Sequence, residues 1–180
     1  MAFTATATEV VRQDIVSVLE LEDPFQKVTG FARANLSFNI TPVETKAAKF
    51  RRTREILENH RTGIIYCATR KRVEEVSETL DNWGVKCIGY HGGMTEEERE
   101  ETQDRFIQRE VDVAVATNAF GMGIDRADVR FVIHFEVPGS IEAYYQEAGR
   151  AGRDGEAAHC ELLWNYADTR TQEFFLEGAN

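Results

Sequence analysis

Arg150 and Arg153 stand three residues apart among Gly149, Gly152 and Gly155, with Gln146 four residues before the first of them. Arginine presents a planar fork of donors that matches phosphate oxygens and keeps its charge near neutrality. Glycine lets backbone approach a ligand closely and adopt conformations that side chains forbid. A solvated surface turn could carry the same residues, so the surroundings decide. A second glycine turn, Phe120-Gly121-Met122-Gly123-Ile124-Asp125, lies upstream. Between the two turns fall an apolar strand over Arg130–Phe135 and a helix over Ser140–Ala148. Together these features point to a phosphate site.

Three further loops carry suitable chemistry. Ala68-Thr69-Arg70-Lys71-Arg72 offers helix amides and three cations that could hold a phosphate. His91-Gly92-Gly93-Met94 permits close backbone approach, and Thr117 offers a hydroxyl and an amide to a backbone phosphate. For each loop alone a structural turn is an equal alternative. His91 has no carboxylate or cysteine companion in the sequence that would make it a metal ligand or general base. Phe120 and Met122 read as packing residues, and Asp125 reads either as a ligand contact or as a turn aspartate.

These loops need a scaffold, and the pattern supplies one. Glu9–Leu19 reads as a short helix with Val11, Ile15, Val18 and Leu19 on one face. Gln26–Gly30 and Asn35–Ile40 read as strands. Thr41-Pro42 is expected to open a helix whose inward stripe is Val43, Ala47, Phe50 and Leu57. Arg51, Arg52 and Arg54 would lie on its solvated face or touch DNA. From there strand and helix alternate: strands over Gly63–Cys67, Val85–Tyr90, Val111–Ala116, Arg130–Phe135 and Ala158–Trp164, helices over Arg70–Trp83 and from Thr95 to about Gln108. Thr95-x-x-Glu98 is a capping box, and Tyr166–Leu176 reads as a last helix. The alternation predicts an α/β layered domain, a mainly parallel sheet with helices on both faces. In such sheets ligands gather at the carboxyl ends of the strands, where all the loops above would fall.

The 180 residues suit one domain with a substantial core, and 42% are hydrophobic, too many for a disordered chain. A formal charge of −10 excludes a general electrostatic grip on nucleic acid, so any DNA contact must be local. The three cysteines, Cys67, Cys87 and Cys160, are too widely spaced for a zinc site or a disulfide framework. Buried reduced thiols in an intracellular protein are expected. No signal peptide and no apolar run of membrane-spanning length is present in the sequence.

The run from Val115 to Gly155, with Ala-Thr-Asn-Ala-Phe-Gly-Met-Gly-Ile-Asp and Tyr-Tyr-Gln-Glu-Ala-Gly-Arg-Ala-Gly-Arg-Asp-Gly, closely resembles motifs V and VI of superfamily 2 helicases of the RecQ type. The resemblance implies a RecA-like fold, the second of two motor domains of an ATP-dependent DNA helicase serving repair and recombination. Residues 1–25, with Thr-Ala-Thr over residues 4–8, resemble the motif III end of a preceding motor domain and its linker. Residues 26–165 would be the second RecA-like domain and residues 166–180 a helix leading out of it. The family usually has proline where Ala34 stands.

By the same resemblance Gln146, Arg150 and Arg153 face a triphosphate held by the partner domain, with Arg153 as arginine finger. Gly121, Gly123 and Asp125 would lie near the nucleotide. Arg70, His91, Gly92, Thr117 and Asn118 would line the single-stranded DNA track, contacting mainly phosphate and sugar. No Gly-x-x-x-x-Gly-Lys-Ser/Thr loop and no Asp-Glu-x-His box occurs, so ATP and Mg2+ would be bound mainly by the other motor domain, with no metal site here. The expected partners are that domain and single-stranded or junction DNA. No membrane contact is expected, the protein would be a monomer, and its location would be cytoplasmic or, in a eukaryote, nuclear. Two other readings remain: an RNA helicase of the DEAD-box group, which carries His-Arg where this chain has Gln146-Glu147, and a non-catalytic interaction module.

Overall fold

The computed structural model describes residues 9–26, 33–117, 120, 124, 126–166 and 168. The chain divides into two compact units, Met1–Ala34 and Asn35–Asn180. In the first, helix α1 spans Glu9–Val18 and buries none of its residues. The expected strand over Gln26–Gly30 does not begin at Gln26, and its remaining residues lie outside those described. So do residues 1–8 and almost all of the helix expected over Tyr166–Leu176.

The second unit is one six-stranded sheet with every pairing parallel. Its strands are β1 (Leu36–Pro42), β2 (Gly63–Tyr66), β3 (Cys87–Tyr90), β4 (Val113–Ala116), β5 (Phe131–His134) and β6 (Ala158–Trp164), in the order β1-β6-β5-β2-β4-β3. Helices α2 (Lys46–Asn59), α3 (Arg70–Asn82), α4 (Glu96–Ile107) and α5 (Ile141–Ala148) connect them. Strands β2, β4 and β5 are buried at every residue and read as unbroken apolar runs, as strands covered on both faces must. Alternate residues feed two cores. Ile64, Tyr66, Ala114, Ala116 and Val132 meet Phe106 of α4 and Ala148 of α5. Ile65, Val113, Val115, Phe131 and Ile133 meet Ile56 of α2 and Val73, Val76 and Leu80 of α3. Gly63 is required there, because a methyl group would sit 2.3 Å from the Phe131 ring.

Local signals explain the helix starts. The side chains of Thr45, Thr69, Thr95 and Ser140 accept from backbone N–H groups three residues on and cap α2, α3, α4 and α5. At Thr95 the predicted capping box with Glu98 is complete.

One start differs from expectation. Pro42 does not open a helix; it ends β1, and α2 begins at Lys46. β1 is an edge strand, where a residue without an N–H costs no ladder bond on the open side. The inward face of α2 is consequently Lys49, Thr53 and Ile56, flanked by Phe50 and Leu57, while Ala47 is exposed. Arg52 is not simply solvated: its Nε donates to Glu161 Oε1 at 3.0 Å and its Nη1 to Glu55. Arg54 lies over the Trp83 ring, 5.5 Å from its centroid. Cys67 and Cys160 are buried free thiols, and Cys87 is a half-buried one.

Candidate functional site

The crossovers leaving β2 and β5 diverge, because α3 packs on one face of the sheet and α5 on the other. Divergent connections between adjacent parallel strands open a crevice at their carboxyl ends, the usual place for a ligand. A cavity of about 510 Å³ lies there, bordered by Tyr66, Ala68, His134, Glu136, Ser140 and Glu147. The glycine-arginine turn follows α5, which contributes Ala143 and Glu147 to the lining.

In that turn Gly149 ends α5, and Gly152 reverses the chain with φ +55°. The Gly152 N–H donates to Val129 O at 2.9 Å, and Asn35 Nδ2 donates to Gly152 O at 2.8 Å. Asn35 also donates to Glu156 O at 2.9 Å, pinning both ends of the loop to the base of β1.

Of the two arginines in this turn, Arg153 reaches the upstream segment. Arg153 is exposed, and its Nη1 donates to Ile124 O at 2.9 Å. Arg150 is half-buried, with its charge near the Tyr66 hydroxyl. That hydroxyl in turn donates to Phe120 O at 3.1 Å. Arg153 is therefore tied to Ile124, and Tyr66 to Phe120, on the two sides of residues 121–123. Burial pushes the Tyr66 hydroxyl well above its ordinary pKa despite the nearby arginines, so it stays a neutral donor and acceptor. Gln146 is exposed on α5. Gly121, Gly123, Asp125 and Asn118 lie outside the described residues, as does Met122. Phe120 is fully buried against Tyr90 and Phe106, the packing role expected of it.

Two groups complete the crevice that the sequence did not single out. His134 Nε2 lies 2.8 Å from Glu147 Oε2, and both side chains are nearly fully buried. The His134 ring stacks on Tyr66 with centroids 5.4 Å apart and planes 21° apart. Tyr66 and His134 each hold the last position of an apolar strand. A polar tip at that position is the only trace they leave in the sequence.

The second missed group narrows an expectation. In the loop after β2, the Ala68 amide and Arg72 already hold a carboxylate of the chain itself, while Arg70 and Lys71 are exposed. Glu136 fills the position: Ala68 N–H donates to its Oε2 at 2.8 Å and Arg72 Nε to its Oε1 at 2.8 Å. Arg72 also pairs with Glu75, and Arg70 with Glu74 at 2.8 Å. A carboxylate at the N-terminus of α3 satisfies the helix dipole from within the chain.

Arg70, His91, Gly92 and Gly93 do gather at one edge. A methyl on Gly93 would meet Arg70 Nη1 at 2.6 Å, and His91 Nε2 lies 4.0 Å from Glu74, the carboxylate that pairs with Arg70. Gly92 faces open space. Thr117 is half-buried, and its N–H is already given to Tyr90 O at 3.1 Å. Only its hydroxyl remains for the contact expected of it.

The family model described as the helicase conserved C-terminal domain matches residues 48–155. The chain is 45% identical over 179 residues to an ATP-dependent DNA helicase RecQ of Bacillus subtilis, covering 98% of this chain and 30% of that protein. It is 42% identical over 171 residues to a RecQ-like DNA helicase BLM of Xenopus laevis, covering 93% of this chain and 12% of that protein. The chain thus spans less than a third of the length of these relatives. Among solved structures, it superposes on a DEAD box protein of Methanococcus jannaschii with a TM-score of 0.68 at 23% identity, over 98% of this chain and 48% of that one. It superposes on the Escherichia coli DEAD-box protein SrmB with a TM-score of 0.64 at 27% identity, over 73% of this chain and 78% of that one.

Proposed function

The chain belongs to the helicase conserved C-terminal domain family, as the RecA-like C-terminal domain of a RecQ-type helicase, and on that premise we propose that it completes the ATPase site of a two-domain DNA motor. The observation that carries this reading is the bond from Arg153 Nη1 to Ile124 O, which holds one arginine of the glycine-arginine turn beside the upstream glycine motif, with the charge of Arg150 near Tyr66. Such an arrangement holds the Arg153 guanidinium beside a segment whose glycines admit a nucleotide.

In this reading the preceding motor domain, which carries the phosphate loop, binds most of ATP and its Mg2+. Arg153 reaches the γ-phosphate as the arginine finger and stabilises charge that develops during phosphoryl transfer. Arg150 orients the phosphates or the finger, Gln146 meets the same triphosphate, and Gly121, Gly123 and Asp125 lie near the nucleotide. Arg70, His91, Gly92, Thr117 and Asn118 touch the backbone of single-stranded DNA across the carboxyl edge of the sheet. ATP closes the two domains, hydrolysis opens them, and the cycle moves the enzyme along the strand in repair or recombination. The protein would act as a monomer in the cytoplasm, or in the nucleus of a eukaryote, and this chain alone would not hydrolyse ATP. Gln146-Glu147 in place of His-Arg supports DNA over the RNA substrates of DEAD-box enzymes.

Arg153→Ala in the two-domain enzyme tests the assignment. A finger acts in the transition state, so turnover should fall at least about 10³-fold while ATP and DNA still bind. Lysine keeps the charge but loses the fork and should restore little. Near-normal DNA-stimulated hydrolysis by Arg153→Ala would remove it from the active site.

A further inference from the structure

The edge assigned to DNA and the turn assigned to ATP belong to different helices. Arg70 opens α3, while α5 carries Gln146 and runs into the glycine-arginine turn. The two helices pack on opposite faces of the sheet, so a displacement of one reaches the other only through a rigid link. Glu136 makes such a link. It stands two residues beyond β5 and four before Ser140, the N-cap of α5. Its Oε2 accepts from the Ala68 amide at 2.8 Å and its Oε1 from Arg72 Nε at 2.8 Å. Both oxygens of one carboxylate are thus engaged at the start of α3, in charge-assisted bonds on a side chain only 11% exposed.

The residue before it is gripped as firmly. The Phe135 N–H donates to Tyr66 O at 2.9 Å, and its carbonyl accepts from the buried Lys49 Nζ at 2.5 Å. The Arg72 guanidinium lies 5.7 Å from the Phe135 ring centroid. Beyond Glu136, Pro138 removes one backbone freedom from the short connection to α5. The far end of α5 is held to the same strand by His134 Nε2 and Glu147 Oε2, 2.8 Å apart. The helix is therefore braced to β5 at its end, and its leading end is tied through Glu136 to α3.

We propose that Glu136 is a positioning residue that couples the DNA edge to ATP hydrolysis, by making the start of α3 and the start of α5 move as one. This rests on the reading that Arg70 meets the strand and that Gln146 and the arginine turn meet the triphosphate. Glu136 touches neither ligand. A shift at the start of α3, when strand backbone engages Arg70, passes through Ala68 and Arg72 to the carboxylate, and along residues 137–139 to α5. Without the carboxylate each helix keeps its own cap, Thr69 or Ser140. Arg72 keeps Glu75 as a partner, so no charge is stranded. Both ligands still bind, but the two sites act independently.

Glu136→Gln in the two-domain enzyme keeps the shape and one acceptor oxygen while setting an amide against Arg72. Hydrolysis without DNA, and the half-saturating concentrations of ATP and of an oligothymidylate strand, should stay close to those of the parent. Stimulation of turnover by saturating oligothymidylate should fall about tenfold, the size of one hydrogen bond to a charged group. Arg72→Gln cuts the same link from the other side and carries the test should Glu136→Gln fail to fold. It should lose the same stimulation, and the double variant should lose no more than either single one. Basal and stimulated rates that fall together, leaving their ratio unchanged, would make Glu136 a structural brace only and overturn the coupling. Losses that multiply in the double variant overturn it as well, since the two residues would then act by separate routes. Parental stimulation in both variants overturns the role of Glu136 while the site assignments stand. Near-normal hydrolysis by Arg153→Ala overturns the nucleotide reading itself, and the coupling role falls with it.

Discussion

Gly152 is the residue that separates Arg150 from Arg153 and turns the chain between them at φ +55°. A methyl group at that position would lie 2.5 Å from Asn35 Nδ2 and 2.7 Å from Glu156 O, and those atoms hold the loop. Gly152→Ala therefore meets both a left-handed backbone and a backbone carbonyl that cannot move aside. It should destabilise this domain by about 1–3 kcal/mol, read as a lower urea midpoint at unchanged slope. A variant as stable as the parent would mean that the turn relaxes. At this scale the sequence was informative wherever a residue's chemistry is local: Gly149, Gly152, Arg150 and Arg153 announce themselves by type and spacing. Tyr66, His134 and Glu136 did not, because their meaning comes from neighbours many residues away. Glu136 meets Ala68 and Arg72 across |i−j| of 68 and 64, and no spacing rule reaches so far. The same limit hid the Thr117 amide, whose partner Tyr90 ends another strand.

Among the elements, β6 is held to both neighbours on its outer flank through one carboxylate. Glu161 is fully buried and accepts from Thr41 Oγ1 on β1 and from Arg52 Nε and Nη2 on α2, with His159 Nε2 at 2.6 Å. Although burial opposes its charge, the bonds from His159, Arg52 and Thr41 hold its pKa down to about 2, against an ordinary 4.5. A depressed folded-state pKa stabilises the fold above the unfolded value, and the stability is lost as pH falls through the folded one. The difference corresponds to about 3 kcal/mol. Stability should thus decline between about pH 5 and pH 2, and Glu161→Gln should lower stability at pH 7 while flattening that decline. Acid titration of the urea midpoint checks it; equal slopes in parent and variant would count against the role. Strand and helix identity was largely legible, since buried parallel strands read as short apolar runs and each of α2 to α5 carries its own cap. The exception was Pro42. Proline suits a helix start and an edge strand alike, and which one forms depends on whether β1 lies at the edge, a property of the whole sheet.

The whole molecule carries a formal charge of −10, and the arginine of its candidate DNA edge, Arg70, is already paired with Glu74, as its neighbour Arg72 is with Glu75 and Glu136. Single-stranded DNA should therefore bind this chain weakly. With two or three phosphates neutralised, log K should fall against log salt with a slope of only about −1.4 to −2.1. A much steeper slope in a salt titration would reveal a basic surface that these pairings do not suggest. The α/β class was legible from alternation, but the strand order was not, because nothing in the sequence says which strands meet. The pairing of β1 with β6 has a consequence for synthesis. Thr41 and Glu161, bonded in the finished sheet, are 120 residues apart. At about 5–20 residues per second, β1 leaves the ribosome on the order of ten seconds before β6, its sheet neighbour among the described residues, exists. Throughout that interval the nascent chain carries Phe38 and Ile40 on an unpaired edge, the window in which a chaperone would find this protein.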